Sequence, residues 1–243
     1  MLKKLTAYDL KIIAIIAMLI DHLAHIVVYL PVEPSLRTVI AVIMNSIGRI
    51  TMPIMCFFIA EGYNNTRDIR KYLTRLFVFA IISQIPYYIF GIDAMPQTFR
   101  SFVGANVYGL NVIYTLFMGL AALTIVKSDR LNFVFKVIGA GCAIYLTKHS
   151  DWRYFGVLWV LIFGLFRGNL KVQMIAFALT AILRCYLNFT SSAMSFFLQL
   201  CTVLAVPLLC MYNGQLGKKS KYGFYIFYPL HLLILGIIKL III

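Results

Sequence analysis

Acidic residues are scarce in this sequence: eight Asp and Glu stand against 22 Lys and Arg in 243 residues. Charge of either sign makes up only 12% of the chain, against about 25% in an ordinary soluble domain. With 62% hydrophobic residues, a soluble fold of this size has too little interior to hide its apolar surface. That excludes a soluble enzyme, a disordered tail and a coiled coil. Short alternating strands between polar turns are missing too, because the apolar runs continue over about 20 residues, which excludes an outer-membrane barrel. The five cysteines (Cys56, Cys142, Cys185, Cys201 and Cys210) all fall inside apolar runs, and none is spaced C-x-x-C. They therefore describe neither a disulfide framework nor a zinc site. Nor is there a G-x-x-x-x-G-K-[ST], a G-x-G-x-x-G after a strand or an H-E-x-x-H, so triphosphatase and metalloprotease chemistry have no support and no metal is expected. The basic residues form no long face, so nucleic acid is not an expected partner.

What is present is a mean hydropathy of +0.91 and nine apolar spans, at about 9–30, 37–63, 72–91, 106–126, 131–147, 154–167, 170–187, 193–212 and 222–243. They predict an all-α, polytopic integral membrane bundle of about nine transmembrane helices, with 1–243 as a single domain and the lipid bilayer as its surroundings. The fifth and sixth spans are short for a hydrocarbon core about 30 Å thick. The first run has a basic start without a small-residue cleavage site, and reads as a retained first helix. With the N-terminus inside, 15 Lys and Arg fall in cytoplasmic segments against six outside, and Arg49 lies within a span. The positive-inside rule then predicts a cytoplasmic N-terminus in a bacterial inner membrane.

Ionisable residues inside spans are costly and point to a site or a partner. Asp21, His22 and His25 occur in MLIDHLAHI, Arg49 in SIGRITMPIM, Glu61 in FFIAEGYNNTR and His231 in FYIFYPLHLLIL. Asp21, His22, Arg49 and His231 all lie near the midpoints of their spans, which puts them at one depth. Asp21 and Arg49 are the expected ion pair. A bland account has that pair locking two helices with the histidines as spectators, but a buried pair is weak evidence for stability in itself. Four such residues at one level favour a site. Lys11 and His22 are eleven positions apart, close to three helical turns, so they share a face about 16 Å apart, with Met18 and His25 on the same stripe. A cation at the rim and an imidazole at mid-depth suit a long ligand with an anionic head and a reactive tail, although Lys11 taken alone reads better as a snorkelling anchor. Four cations, Arg67, Arg70, Lys71 and Arg75, follow Glu61. They satisfy the positive-inside rule and equally supply forked donors for phosphate. Glu61 needs a partner such as Arg67 or Arg75.

These stretches resemble the TraX family, named for the protein linked to N-terminal acetylation of conjugative pilin. The resemblance is carried by LKIIAIIAMLIDH (10–22), IGRITMPIMCFFIAEGYNNTR (47–67), KYLTRLFVFAIISQIPY (71–87), NVIYTLFMGL (111–120), DWRYFGVLWVLIF (151–163) and KYGFYIFYPLHLLIL (221–235). Residues 91–105 and 164–215 match poorly. The family looks like part of a transmembrane acyltransferase superfamily that includes acyltransferase family 3. This resemblance implies that cytosolic acetyl-CoA donates an acyl group to an acceptor, often at the outer face. The superfamily's first helix carries a basic residue, ten intervening residues and a histidine, which Lys11 and His22 fit. Its arginine pair near the third helix is matched loosely by Arg67, Arg70 and Arg75.

The expected activity is therefore acetyl transfer to a pilin N-terminal amine or a surface glycan, with His22 as general base because an imidazole titrates near neutrality. Asp21 would orient an imidazole, as the carboxylate of a triad does, or serve His25 or Arg49 instead. His231 fits a second base, an oxyanion donor or a structural partner. Lys11, Arg49, Glu61, Arg67, Arg70 and Arg75 form the expected donor-binding set. The rival expectation is a transporter or a non-catalytic assembly component of a conjugation or pilus system, with helices broken at Pro53, Pro86, Pro207 and Pro229. The absence of an internal repeat speaks against a transporter.

Overall fold

A computed structural model describes residues 4–91, 109–187, 193–218 and 223–242. Lys3, Arg100, Lys219 and Lys221 of the charge split lie outside the described residues, as do residues 106–108 of the fourth span and both end residues of the ninth. The described residues are helical throughout, apart from turns, loops and two isolated bridges. In chain order the α-helices are α1 (Ala7–Val27), α2 (Pro34–Gly48), α3 (Thr51–Asn65), α4 (Ile69–Gly91), α5 (Val112–Val126), α6 (Phe133–Leu146), α7 (Arg153–Leu165), α8 (Leu170–Leu187), α9 (Ala193–Leu200), α10 (Ala205–Cys210) and α11 (Gly223–Ile242), with a 3-10 turn at Cys201–Leu204.

Among the described residues, six stretches are long and apolar enough to cross a membrane: Ala7–Val27, Pro34–Asn65, Ile69–Gly91, Leu170–Leu187, Ala193–Cys210 and Gly223–Ile242. α5, α6 and α7 are apolar but shorter. The second expected span, 37–63, is two helices and not one, interrupted at Arg49 and Ile50. Pro53 explains the break: it has no N–H to give the carbonyl of Arg49, and its ring crowds that carbonyl. Pro207 likewise offers no donor to Val203, which lies in the 3-10 turn that divides the eighth span.

The chain groups into two compact units: Met1–Ile54, Pro86–Val107 and Ala181–Ile243 in one, Met55–Ile85 and Tyr108–Thr180 in the other. In the first, α1 begins with a capping box in which Thr6 N donates to Asp9 (2.9 Å) and Asp9 N donates to Thr6 Oγ1 (3.3 Å). Its remaining first-turn donors reach another segment, Ala7 N to the Gln215 carbonyl (2.8 Å) and Tyr8 N to that of Leu216 (3.1 Å). Ala14, Ala17 and Ala24 are buried along α1, and Thr51 Oγ1 donates to the Ala14 carbonyl at 3.0 Å. Small residues of this kind let neighbouring backbones approach where no hydrophobic drive separates protein from lipid.

In the second unit, Asn111 ties α5 to α4. Its side chain caps α5 at the N–H groups of Ile113 and Tyr114, while Nδ2 donates to the Ala80 carbonyl and Gln84 Oε1, both at 2.7 Å. Gly119 and Gly164 let α5 and α7 close on each other, because a Cβ at either would press into Val160 or Leu123. α7 is apolar all round, with Phe155, Val157 and Trp159–Phe163 buried. It is the centre of this unit's core. α6 is the reverse, exposing Phe133, Val134, Phe135, Val137 and Ile138, as a lipid-facing helix does.

Candidate active site

In the first unit the site is built from α1, the end of α2, the last turns of α4, and α11. Successive helical residues point about 100° apart. Asp21 and His22 therefore serve different neighbours. The Asp21 carboxylate packs against Gly48 so closely that a Cβ there would overlap it, and Arg49, the next residue, is buried at the break between α2 and α3. His22 instead faces α11, where its Nδ1 lies 2.8 Å from His231 Nε2. His231 is only 5% exposed. Its Nδ1 lies 2.8 Å from the Phe227 carbonyl one turn back on the same helix. The Phe227 ring stacks on His231 at 4.7 Å and 14°, and the Tyr228 ring meets it edge-on at 5.7 Å.

Phe90 fills the space beside the histidines, with its ring centroid 5.1 Å from that of His22 and 5.2 Å from that of His25. Its carbonyl, in the last described turn of α4, takes a side-chain donor. Lys239, 2% exposed, supplies one at 2.9 Å, with its ammonium 5.4 Å from the Phe90 ring centroid. Gly236, one turn before Lys239, allows this approach, since its Cβ position lies 3.0 Å from the Phe90 nitrogen. Lys11 sits nearer the start of α1, with its ammonium 5.6 Å from the ring of Phe224 on α11.

The second unit gathers charge around the last turn of α3. The expected partners of Glu61 were Arg67 or Arg75, but the structure pairs it with Arg167, just beyond α7, at 2.9 Å. A residue more than a hundred positions away wins because the end of α7 packs beside the end of α3, whereas Arg67 lies in the exposed turn beyond α3. Lys127, capping the end of α5, lies 3.5 Å from Asn64 Oδ1 and 5.6 Å from the Tyr63 ring centroid. The Tyr72 ring and hydroxyl press on Gly62, and the Arg75 guanidinium lies 5.3 Å from that ring centroid. Arg67, Arg70 and Lys71 are exposed. Asp68 caps α4 by accepting from Lys71 N at 3.0 Å, and that N–H holds its carboxyl below the usual aspartate value.

The model of the family described as "TraX protein" matches residues 7–239, nearly the whole chain. The chain belongs to the TraX family. It is also 32% identical over 238 residues to "Probable fimbrial assembly protein FimC, serogroup H1" of Dichelobacter nodosus, covering 95% of this chain and 94% of that protein. No solved structure matches it.

Of the residues expected to form the site of this TraX protein, the structure brings His22 and His231 into direct contact and sets Asp21 against the Gly48–Arg49 corner. Lys11 shares a helix with His22, and Glu61 and Arg75 gather at the end of α3. Sequence reasoning missed Lys239, Phe90, Lys127 and Arg167. In the sequence Lys127, Arg167 and Lys239 count only toward the charge split. A buried ammonium in an apolar span was a usable signal for Lys239. Phe90 is one apolar ring among many, and nothing in its sequence context marks it.

Proposed function

We propose that this TraX-family membrane protein is an acetyltransferase that moves an acetyl group from acetyl-CoA to an amine or hydroxyl acceptor, such as a pilin N-terminal amine or a surface glycan. The observation that carries the reading is the His22–His231 contact at 2.8 Å, with His231 anchored to a carbonyl. Two imidazoles in such contact, His231 buried and His22 half-buried beside the Phe90 ring, make a general base and its support. In the step, the acceptor nitrogen or oxygen bonds to the thioester carbonyl carbon as the carbon–sulfur bond breaks. The acceptor's proton passes to His22 and from there to the departing CoA thiolate. Asp21 then belongs to the Arg49 corner more than to the base. Lys11 is one proposed contact for the donor's phosphates. The cations near α3, Arg67, Arg70 and Arg75, with Lys127 and Arg167, are proposed by themselves as an anion-binding group of the second unit. Arg49 and Glu61 hold neighbouring charges in place.

The relative's printed name favours a second reading, a non-catalytic membrane component of fimbrial assembly. Radiolabelled acetyl-CoA, added to membranes that contain the protein and candidate pilin or glycan acceptors, separates the two. Label transfer together with a raised melting temperature in acetyl-CoA supports the enzyme. Neither effect supports assembly alone.

We also propose nine crossings with the N-terminus in the cytoplasm and the protein in the inner membrane, a placement supported by the 15 to 6 split of Lys and Arg. Single cysteines at Ser35 and Ser128 check it with a membrane-impermeant reagent. Ser35→Cys is expected to label from outside and Ser128→Cys only after permeabilisation. The reverse pattern overturns the orientation.

A further inference from the structure

We propose that His231 is a positioning residue: together with the Phe227 carbonyl it decides which nitrogen of His22 carries hydrogen, and so makes Nε2 of His22 the basic atom. A carbonyl oxygen has lone pairs and no hydrogen, so the His231 nitrogen 2.8 Å from it, Nδ1, is the N–H. A neutral imidazole carries one ring hydrogen, which leaves a lone pair on His231 Nε2. His22 Nδ1 lies 2.8 Å from that lone pair and must donate to it. The second nitrogen of a neutral His22 is then bare.

The same arrangement supports the charge that forms later. Once His22 Nε2 accepts a proton, its Nδ1–H becomes the donor of a charge-assisted hydrogen bond to His231, which is held in turn by Phe227. A carboxylate does this in the serine-protease triad. Here a neutral imidazole backed by a carbonyl takes its place, at no cost of a second buried charge. The stacked Phe227 ring fixes the plane of His231, and Phe90 meets His22 from the side. Among the described residues, ionisable groups near the pair include Asp21 and His25 on α1 and, across the Phe90 ring, Lys239 on α11. The consequence for catalysis rests on the acetyl-transfer reading, whereas the hydrogen placement rests on geometry alone.

Two amide variants test it, because glutamine and asparagine place their polar atoms differently. His231→Gln sets its Oε1 near the position of Nε2 and still accepts from His22. His231→Asn sets its amide near Nδ1 and reaches Phe227 but not His22. His231→Asn is expected to lower kcat about 10–100-fold, as loss of a supporting partner does, with KM for acetyl-CoA unchanged. His231→Gln is expected to restore most of that kcat. Equal loss in both, or a change confined to KM, overturns the proposal. Nitrogen-15 histidine labelling of the wild-type protein in bilayers, read by solid-state NMR and assigned against His22→Gln, tests the placement without any turnover. His22 protonated at Nδ1 with a bare Nε2 is expected, and the opposite tautomer overturns the proposal. If no acetyl transfer is found in the wild-type protein, the functional reading fails while the NMR result still decides the hydrogen placement.

Discussion

The two units set the charged and imidazole side chains of their candidate sites in opposite ways. In the first, His231, Arg49 and Lys239 are buried among apolar side chains, and His231 and Lys239 each hold a main-chain carbonyl. In the second, Arg67, Arg70 and Lys71 stand exposed at helix ends, and its Glu61–Arg167 pair has an arginine side chain 42% exposed. A buried donor in a low-dielectric interior has one acceptable partner and one geometry, because an unmade hydrogen bond there costs about 1–3 kcal/mol. An exposed cation has water as an alternative, so exposed pairs contribute little, about 0.2–1 kcal/mol. The first arrangement dictates where a proton resides, and the second leaves its exposed cations to water.

The sharpest break of this comparison is His22→Ala. Removing a general base is expected to lower acetyl transfer about 10²–10⁴-fold. Binding of acetyl-CoA, followed as a rise in melting temperature, is expected to remain. A His22→Ala protein with wild-type turnover would sink the reading of the first unit as a reaction centre.

A pair of glycine variants asks next whether the first unit is as tightly determined as its packing implies. Gly48→Ala drives a methyl group into Asp21, and overpacking of this kind costs about 1–3 kcal/mol. Gly141→Ala, on α6 in the second unit, enters open space. Thermal unfolding in detergent is expected to show a clear fall for Gly48→Ala and little change for Gly141→Ala. Equal shifts would mean that the Asp21 corner is not held tightly.

The gentlest test concerns the Lys11 cation. Lys11→Ala is expected to weaken CoA binding by about tenfold, the loss of one charge-assisted contact, without lowering the melting temperature. Titration of the purified variant with CoA in detergent reads this directly. Unchanged affinity would return Lys11 to anchoring α1.

Much of this was legible without coordinates. Scarce charge and long apolar runs specify a helical membrane protein, because backbone groups in lipid have no partners outside a helix or a closed barrel. The shared face of Lys11 and His22 follows from the helical period alone, and the break at Arg49 follows from Pro53 four residues on, whereas Pro86 and Pro229 lie inside unbroken helices. These are local rules, acting within a few turns. The partners were not local. Glu61 finds Arg167 across 106 positions, and His22 finds His231 across 209. Hydropathy places such residues at a depth, but depth leaves their rotation and their neighbours open. Only the packing of α1 on α11 turned shared depth into contact, and only the Phe227 carbonyl beneath His231 gave that contact a direction, since an oxygen without hydrogen accepts from one side and so orders both rings.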